Sequence, residues 1–426
     1  MHFSVSGIFL PPAFFWQVWS PALGNNDKIK RCRMEMSGVK VAMVASVETS
    51  FIILFGNQLN QLRASGIQVS AISSLERKEN LDFFSRMGIE FIEAPIQRRI
   101  SPFADLRAVL QLWKIFRSRK FDLIHTQTPK PSLLGAIAGR LAGIPVVNTA
   151  RPIFREMPEG MRRRFFIWLE KISCRLTDLV MVENPNDFDL YLGLGIAGKE
   201  KLKIQGNGID LSRFDPQKIP ATDLSRLRSE LKIPENAFVI GCVARYVYEK
   251  GYLELFQAFK EMMPNYQNLY LLTAGFFLPS ERDPIPKDLV EKMGIAERVR
   301  MLENRTDMEK LYSLMDIVVL PTHRDCFPRS LIEAAAMAKP IIATDLVGCR
   351  VVVKPEQTGI LVPPRDARAL KQALERLLND KNLRASLGAR AREYALENLN
   401  EEMVCKRIID CYSDLLSASS EEQNRV

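Results

Sequence analysis

Histidine is scarce in this chain of 426 residues, which contains only His2, His125 and His323. The seven cysteines are odd in number and widely spaced, and no C-x-x-C pair occurs. So few histidines leave almost no room for a multi-histidine metal site. The cysteine pattern argues against both a zinc site and a disulfide framework, and it fits a reducing cytosol. We therefore expect no metal site built from histidines or cysteines.

Long apolar runs are also lacking, with one exception at the N-terminus. Residues 3–23 are nearly free of charge, but Pro11 and Pro12 interrupt them. His2 is the only basic side chain that precedes them. Two prolines would break a membrane-spanning helix, and a secretory signal would carry positive charge before the apolar run. We expect residues 1–37 to be an extension outside the fold, with a membrane anchor as the alternative.

Positive charge is unevenly distributed. Residues 1–210 hold 28 Lys and Arg against 19 Asp and Glu, and the remainder holds 31 of each, for a net charge of +9. A basic half favours an anionic partner, and no nucleic-acid-binding motif is present. Two basic stretches with aromatic residues, 113–120 and 161–171, predict contact with an anionic membrane surface. The alternative is that these aromatic residues face the core and the arginines are simply solvated. The balance of 47% hydrophobic and 26% charged residues excludes a largely disordered chain.

Short apolar strand candidates alternate with helical patterns from Gly38 onward, pause over residues 205–236, and resume at residue 237. Such alternation predicts an α/β fold with two doubly wound parallel sheets that face a cleft, followed by a helical C-terminal tail. The expected divisions are a first domain over 38–210, a linker over 211–236, a second domain over 237–400, and a C-terminal helix and tail over 401–426. Ligands are expected in the cleft.

Two cations follow the first strand of the second domain. Arg245 and Lys250 lie in CVARYVYEKGYLEL, and Gly251 opens a helical pattern. Cations beside a helix start suit a diphosphate. An ordinary surface loop with two charges is the alternative.

Two carboxylates eight residues apart surround another helix start. Asp325 and Glu333 flank Pro328, which is predicted to be the first helical residue. The backbone N–H groups of Arg329 and Ser330 would then face the cleft and could hold phosphate, while the carboxylates could accept hydrogen bonds from sugar hydroxyls. A capped helix with solvated acids is the alternative.

Two further features lie in or near the first domain. GNGIDLSRF at 206–214 suits a tight turn at a domain junction. His125 ends a strand candidate at the expected cleft, although a lone histidine is more often structural.

Several motifs in a consistent order resemble glycosyltransferase family 4, the retaining nucleotide-sugar transferases with the GT-B fold. The resemblance covers about residues 38–415 and rests on five segments: DLIHTQTPKPSLLGAIAGRLAGIPVV, GNGIDLSRF, ARYVYEKG, RDCFPRSLIEAAAMAKPIIATDLVGCR and TGILVPP. Within the family, the chain resembles bacterial enzymes that add a sugar to a lipid-linked acceptor in cell-surface polysaccharide synthesis. The resemblance implies a hexosyltransferase, cytoplasmic and peripheral at the inner face of the membrane. It would use a nucleotide-sugar donor such as a UDP-sugar and a lipid-linked or saccharide acceptor.

The resemblance also implies roles for individual residues. Arg245 and Lys250 would hold the diphosphate and stabilise the leaving nucleotide, without a divalent metal or any other cofactor. Glu333 would bind the ribose and Asp325 the donor sugar. The remaining donor-binding residues would be Phe327, Arg329 and Ser330.

The chain departs from the family pattern at several positions. Asp325 stands where the family usually has Glu, and Cys326 where it has Gly. In the first domain Arg151 replaces a common histidine and Gln127 replaces a second, while VETSF at 47–51 replaces a glycine-rich loop. His125 and Arg151 are the acceptor-side candidates. Because the departures in the first domain concern acceptor handling, a nucleotide-sugar-binding protein without activity stays an alternative. A GT-B-like sugar epimerase is a further alternative.

Overall fold

Two parallel β-sheets organise the chain in the computed structural model, which describes residues 36–97, 101–155, 157–277 and 283–423. The first sheet has the strand order β3-β2-β1-β4-β5-β6-β7. Its strands are short and mostly buried, as expected where helices cover both faces. Their bounds are β1 Lys40–Val47, β2 Gln68–Ser74, β3 Glu90–Glu93, β4 Leu123–Thr126, β5 Val146–Ala150, β6 Leu179–Val182 and β7 Leu202–Ile204.

Six helices accompany the first sheet in the described residues. They are α1 Gly56–Ala64, α2 Leu81–Met87, α3 Pro102–Arg119, α4 Pro129–Ala142, α5 Met161–Leu176 and α6 Pro185–Gly193. A short helical segment, Glu48–Ser50, and a π-helical turn, Phe51–Phe55, connect β1 to α1.

The second sheet repeats the same winding, with the order β10-β9-β8-β11-β12-β13. Its strands are β8 Phe238–Val243, β9 Leu269–Gly275, β10 Val299–Glu303, β11 Ile317–Leu320, β12 Ile341–Thr344 and β13 Gly359–Val362. The helices of this half and of the C-terminus are α7 Ala221–Glu230, α8 Tyr252–Met262, α9 Leu289–Lys292, α10 Met308–Leu314, α11 Arg329–Ala336, α12 Val347–Val352, α13 Ala367–Asn379, α14 Lys381–Asn398 and α15 Glu401–Gln423. The two sheets and the helical tail confirm the predicted fold class.

The region predicted as a linker contains helix α7. Leu227, Leu231 and Ile233 are buried in the core of the second half of the chain. The prolines and charges of this stretch suggested a linker. The helix was missed because only one face of α7 is apolar. The division of the chain at residues 210, 236 and 400 stays a prediction.

The C-terminal helix α15 returns to the first sheet. Val404, Ile408 and Tyr412 join an apolar core that includes Met43 and Leu59. The Tyr412 hydroxyl lies 2.5 Å from Nδ1 of His125, at the end of β4. The chain therefore crosses between its two halves twice, once after β7 and once before α15.

The two crossings touch each other at the GNGID segment. Ile209 N–H donates to the Leu399 carbonyl at 3.0 Å, and Glu401 N–H donates to the Ile209 carbonyl at 3.1 Å. A Cβ at position 208 would lie 2.7 Å from backbone atoms of Asn400 and Glu401. Glycine at this position therefore allows the two crossing segments to pair.

The predicted N-terminal extension lies outside the described residues except for Met36 and Ser37. Met36 is buried in the core of the first half. Among the helices of the described residues, none has the length and apolar character needed to span a bilayer.

The crossing gives a test of packing. Gly208→Ala should lower the free energy of unfolding by about 2 kcal/mol or more, because the new methyl group meets backbone that cannot move aside cheaply. Denaturant titration measures this. Gly193→Ala is the matched control, since nothing lies within 4 Å of a Cβ there, and its stability should be unchanged or slightly higher. Equal stabilities for both variants would contradict the close crossing.

Candidate functional site

The carboxyl edge of the second sheet holds the cations and acids that the sequence singled out. Strands β8 and β11 are neighbours in this sheet, although β9 and β10 follow β8 along the chain. The strand order reverses here, and such a switch point is where doubly wound sheets bind ligands. Arg245 follows β8, and Asp325 follows β11.

Glycine at position 251 lets the two loops approach. Gly251 has φ +76°, and a Cβ there would lie 1.9 Å from the Pro321 carbonyl oxygen. It follows the short 3₁₀ turn Tyr248–Lys250, which places Lys250 against the loop after β11.

Lys250 and Asp325 form a direct ion pair. Nζ of Lys250 lies 2.7 Å from Oδ2 of Asp325 and also donates to the Arg324 carbonyl at 3.3 Å. The side chains of Lys250 and Asp325 are 11% and 20% exposed. The sequence assigned them to different parts of a ligand, and the structure brings them together.

Glu249 was missed at the sequence level. Its carboxylate lies 3.9 Å from a guanidinium nitrogen of Arg245 and 2.9 Å from one of Arg324. Glu249 thus connects the cations of both loops. The spacing of four residues from Arg245 was the available signal for this contact.

Helix α11 begins one residue later than predicted. Pro328 has an extended backbone, with ψ 111°, and is therefore the N-cap. Arg329 is the first helical residue. The N–H groups of Arg329 and Ser330 are therefore in the first turn, where an α-helix supplies no carbonyl partner for them.

Glu333 lies one turn into α11 and is largely buried, with its side chain 13% exposed. The Tyr312 hydroxyl donates to its Oε2 at 3.0 Å, and Nε of Arg329 lies 3.4 Å from its Oε1. Burial raises the pKa of Glu333, and the Arg329 charge and the Tyr312 hydrogen bond oppose that rise. Tyr312, from α10, is a second residue that the sequence did not reveal.

Phe327 is buried within the apolar core of the second half and is 7% exposed. The burial of Phe327 anchors the loop that precedes α11 in this core. The donor-binding role predicted for Phe327 stays a prediction.

A pocket lies between the carboxyl edge of the first sheet and helix α11. Its walls come from the turn after β1, from the ends of β5, β6 and β7, and from the first turns of α11 and α15. The lining residues are Leu54, Phe55, Gln58, Arg151, Glu183, Gln205, Gly206, Asn207, Gly208, Arg329, Glu401, Val404 and Cys405. We call it the cleft pocket.

Arg151 lines the cleft pocket and is held by three partners. Its Nε and Nη2 donate to Oε1 of Glu183 at 3.2 and 2.8 Å, and Nη1 donates to the Gln127 carbonyl at 3.1 Å. Its guanidinium also lies 5.0 Å from the centre of the Phe55 ring. A buried carboxylate, Glu183, therefore fixes the cation that stands in place of the family histidine.

His125 is fully buried. Its Nε2 lies 2.8 Å from the Thr149 hydroxyl, and its Nδ1 contacts Tyr412. Burial and the nearby charge of Arg151 lower the pKa of His125 to about 3, so the ring is neutral at physiological pH. In this arrangement the histidine is covered by α15, and its acceptor-side role stays a prediction.

Glu48 replaces the glycine-rich loop with a buried carboxylate. It accepts hydrogen bonds from the N–H groups of Glu76 and Arg77 and from the Asn80 amide, at 2.9, 3.1 and 2.9 Å. Burial would raise its pKa, but these hydrogen bonds outweigh burial and lower it. The turn after β1 is thereby fixed by a side chain whose role the sequence did not indicate.

The described residues contain no group of three or more His, Cys, Asp or Glu side chains placed to hold a metal ion. The charged groups at the second sheet instead pair with one another.

Two family models match the chain. "Glycosyltransferase Family 4" matches residues 55–213, and "Glycosyl transferases group 1" matches residues 224–394. The capsular polysaccharide biosynthesis glycosyltransferase CapM of Staphylococcus aureus is 27% identical over 90% of this chain and 99% of its own length. A UDP-Gal:alpha-D-GlcNAc-diphosphoundecaprenol alpha-1,3-galactosyltransferase of Escherichia coli is 26% identical over 76% of this chain and 84% of its own.

Solved structures share the architecture. A glycosyltransferase from Rickettsia africae superposes with a TM-score of 0.74 at 20% identity, covering 89% of this chain and 98% of its own. Anabaena HepE in complex with UDP gives 0.72 at 21% identity, covering 88% and 100%. With both halves matched by family models and the GT-B architecture matched along most of its length, the chain belongs to glycosyltransferase family 4.

Proposed function

We propose that this glycosyltransferase moves a hexose from a nucleotide-sugar, with UDP as the expected nucleotide, to a lipid-linked saccharide acceptor, and that it retains the anomeric configuration. The product would belong to cell-surface polysaccharide synthesis. The observation that carries the proposal is the cluster of Arg245, Lys250 and Asp325 at the switch point of the second sheet. The comparisons favour neither the inactive binding protein nor the epimerase.

The two cations would hold the donor diphosphate. Lys250 is paired with Asp325, so a phosphate arriving there replaces one anionic partner of the lysine by another. This exchange avoids stripping water from an unpaired cation, which would be costly. Arg245 would add a second cation, and the first turn of α11 would add N–H donors.

The two acids would read the uncharged parts of the donor. Glu333, held by Tyr312 and Arg329, would accept hydrogen bonds from the ribose hydroxyls. Asp325 would be released by Lys250 and could accept a hydrogen bond from the donor sugar.

We also propose that the reaction needs no divalent metal. The diphosphate leaving group would be neutralised by Arg245 and Lys250, which can supply the positive charge that a metal supplies elsewhere. This part of the proposal rests on the charges present.

Named relatives suggest the acceptor class. The Escherichia coli enzyme and a Campylobacter jejuni enzyme, 24% identical, carry names that specify sugars linked to undecaprenyl diphosphate. The cleft pocket has Arg151 and Glu183 in its wall and faces helix α11, which we call the donor helix. It would receive the acceptor sugar.

A basic apolar surface could bring the enzyme to such an acceptor. Seven of the eleven exposed large apolar side chains in the described residues lie on the neighbouring helices α3, α4 and α5: Phe103, Leu106, Leu110, Leu141, Met161, Phe165 and Trp168. Exposed cations accompany them on the same helices: Arg107, Lys114, Arg117, Arg140, Arg162 and Arg164.

The exposure of individual side chains shows which residues of the stretches 113–120 and 161–171 are available at the surface. Phe165 and Trp168 are 46% and 54% exposed and stack on each other, which suits a lipid interface. Phe116, in contrast, is fully buried in the core, and Arg163 turns to donate to the Phe154 carbonyl. We infer that α3 and α5 dock on the anionic cytoplasmic face of a membrane, where the lipid-linked acceptor is presented.

The donor cations give the first activity test. Lys250→Ala and Arg245→Ala should each lower kcat/KM about ten- to hundredfold, because a charge-assisted hydrogen bond contributes about 1.5–3 kcal/mol. Nucleotide release from a panel of UDP- and GDP-sugars, with membrane lipids as acceptors, measures this in the presence and absence of EDTA. Lys292→Ala, at an exposed helical ion pair, is the control and should keep full activity.

Full turnover by both variants would contradict the assignment of Arg245 and Lys250 to the donor diphosphate. Activity that is lost in EDTA and restored by Mg²⁺ or Mn²⁺ would instead contradict only the metal-independent part.

The acids should separate nucleotide from sugar recognition. Glu333→Ala should weaken UDP and UDP-sugar alike, because the ribose is common to both ligands. Asp325→Ala should weaken the UDP-sugar more than UDP, because only the former carries the hexose. Calorimetric titration of both ligands into both variants checks this. Equal losses for the two ligands at Asp325 would show that this residue does not contact the sugar.

Membrane docking predicts a charge-dependent affinity. Replacing Arg162 and Arg164 by Ser in the full chain should weaken binding to anionic liposomes by about 2 kcal/mol, roughly thirtyfold, because each cation near the headgroups contributes about 1 kcal/mol. Flotation at low and high salt measures this. Lys371→Ser with Arg376→Ser, on α13 in the second half, removes the same charge and should have little effect. Identical losses for both pairs would indicate attraction by net charge alone.

A further inference from the structure

Arg329 lies where the donor helix α11 faces the first sheet and the C-terminal helix. Its Nε is 3.4 Å from Oε1 of Glu333, and its Nη2 is 4.0 Å from Oε2 of Glu401. Its Nη1 donates to the Leu54 carbonyl at 3.5 Å. The Arg329 side chain is 30% exposed and lines the cleft pocket. One cation therefore lies between two carboxylates that come from different helices, α11 and α15.

Both carboxylates are withdrawn from water. The Glu333 side chain is 13% exposed and that of Glu401 is 7% exposed. Each has one neutral hydrogen-bond donor, Tyr312 for Glu333 and the Asn57 amide for Glu401, at 3.0 and 2.6 Å. Burial raises the pKa of both acids, and the Arg329 charge opposes the rise at each.

The other groups near these acids are few and already engaged. Arg213 acts on Glu333 from a greater distance and is itself paired with Glu309 at 2.9 Å. Asp210 acts on Glu401 and raises its pKa further. Arg329 is therefore the main positive charge for Glu333, and Glu401 competes for it.

We propose that Arg329 is a positioning residue that keeps Glu333 ionised for the donor ribose and divides its charge between Glu333 and Glu401 across the cleft. The inference rests on the proposed ribose-binding role of Glu333. It adds that the charge of the donor site depends on an acid of the C-terminal helix, which packs on the opposite half of the molecule.

The arrangement requires effects of opposite sign. Without the Arg329 charge, Glu333 should take up a proton at higher pH, so the pH of half-maximal UDP binding should rise by roughly one unit. Without the Glu401 charge, Arg329 interacts with Glu333 alone, so the pH of half-maximal UDP binding should fall. A merely structural role for either residue would weaken UDP binding without moving the midpoint in opposite directions.

The experiment titrates UDP into the full-length protein between pH 5 and 8. The variants are Arg329→Gln, Arg329→Lys, Glu401→Gln, Glu333→Gln and the double variant Arg329→Gln with Glu333→Gln. The phosphate of UDP titrates identically in every case, so differences between variants report the protein. Arg350→Gln, at an exposed pair with Asp345, is the control and should leave the profile unchanged.

The expected result is an upward shift for Arg329→Gln, restoration towards the original profile for Arg329→Lys, and a downward shift for Glu401→Gln. Arg329→Gln should have no further effect on the midpoint once Glu333 is Gln. If Arg329→Gln does not fold, Glu401→Gln and Arg329→Lys still carry the test.

Two failures are distinguishable. If Glu333→Gln leaves UDP binding and its pH dependence unchanged, the proposed donor site is wrong. If Glu333→Gln removes the acid-dependent loss but neither Arg329→Gln nor Glu401→Gln moves the midpoint, the donor site stands and this inference is overturned.

Discussion

The contact between the two chain crossings, at Gly208 and at Asn400–Glu401, is the constraint on which the cleft depends. Two backbone hydrogen bonds through Ile209 join the segments, and no side chain could be accommodated between them at position 208. Because α14 packs on the second half and α15 on the first, this contact fixes where the chain leaves one half for the other. It also delivers Glu401 to the cleft, opposite Arg329.

Paired charges dominate what the cleft offers to a ligand. Lys250 pairs with Asp325, Arg151 with Glu183, and Arg329 lies between Glu333 and Glu401. A buried charge without a partner is costly, so in the absence of substrate these groups satisfy one another. Under the proposed function, a phosphate or a hydroxyl would enter by replacing one of these partners, at side chains that are already held in place.

The sequence was sufficient for the local parts of this architecture and insufficient for its long-range contacts. Apolar runs followed by helical patterns predicted the alternation of strands and helices in both sheets, since periodicity and turn residues are local signals. The GNGID segment was singled out as well, although the contact that requires glycine there, with a crossing segment almost 200 residues away, was not predicted. Helix α7 was missed because a mostly polar helix with flanking prolines resembles a linker.

Within the site, residue types were predicted and partners were not. Arg245, Lys250, Asp325 and Glu333 stood out because they follow strands or begin helices. The pairing of Lys250 with Asp325 joins positions 75 apart, and the burial of His125 depends on Tyr412, 287 residues later. Such contacts depend on which strands are neighbours and on where α15 packs, and neither is encoded in a local pattern.

The departures in the first domain then acquire a common physical meaning. A histidine at position 151 could exchange a proton near neutral pH, whereas an arginine stays charged and can only donate hydrogen bonds. Glu183 accepts two of those bonds, and His125 is neutral and covered. Arg151 can therefore orient an acceptor oxygen or stabilise negative charge on it, but it cannot remove its proton. Under the proposed transfer, the proton must therefore go to a carboxylate or to the departing diphosphate, which the cations of the second sheet would hold.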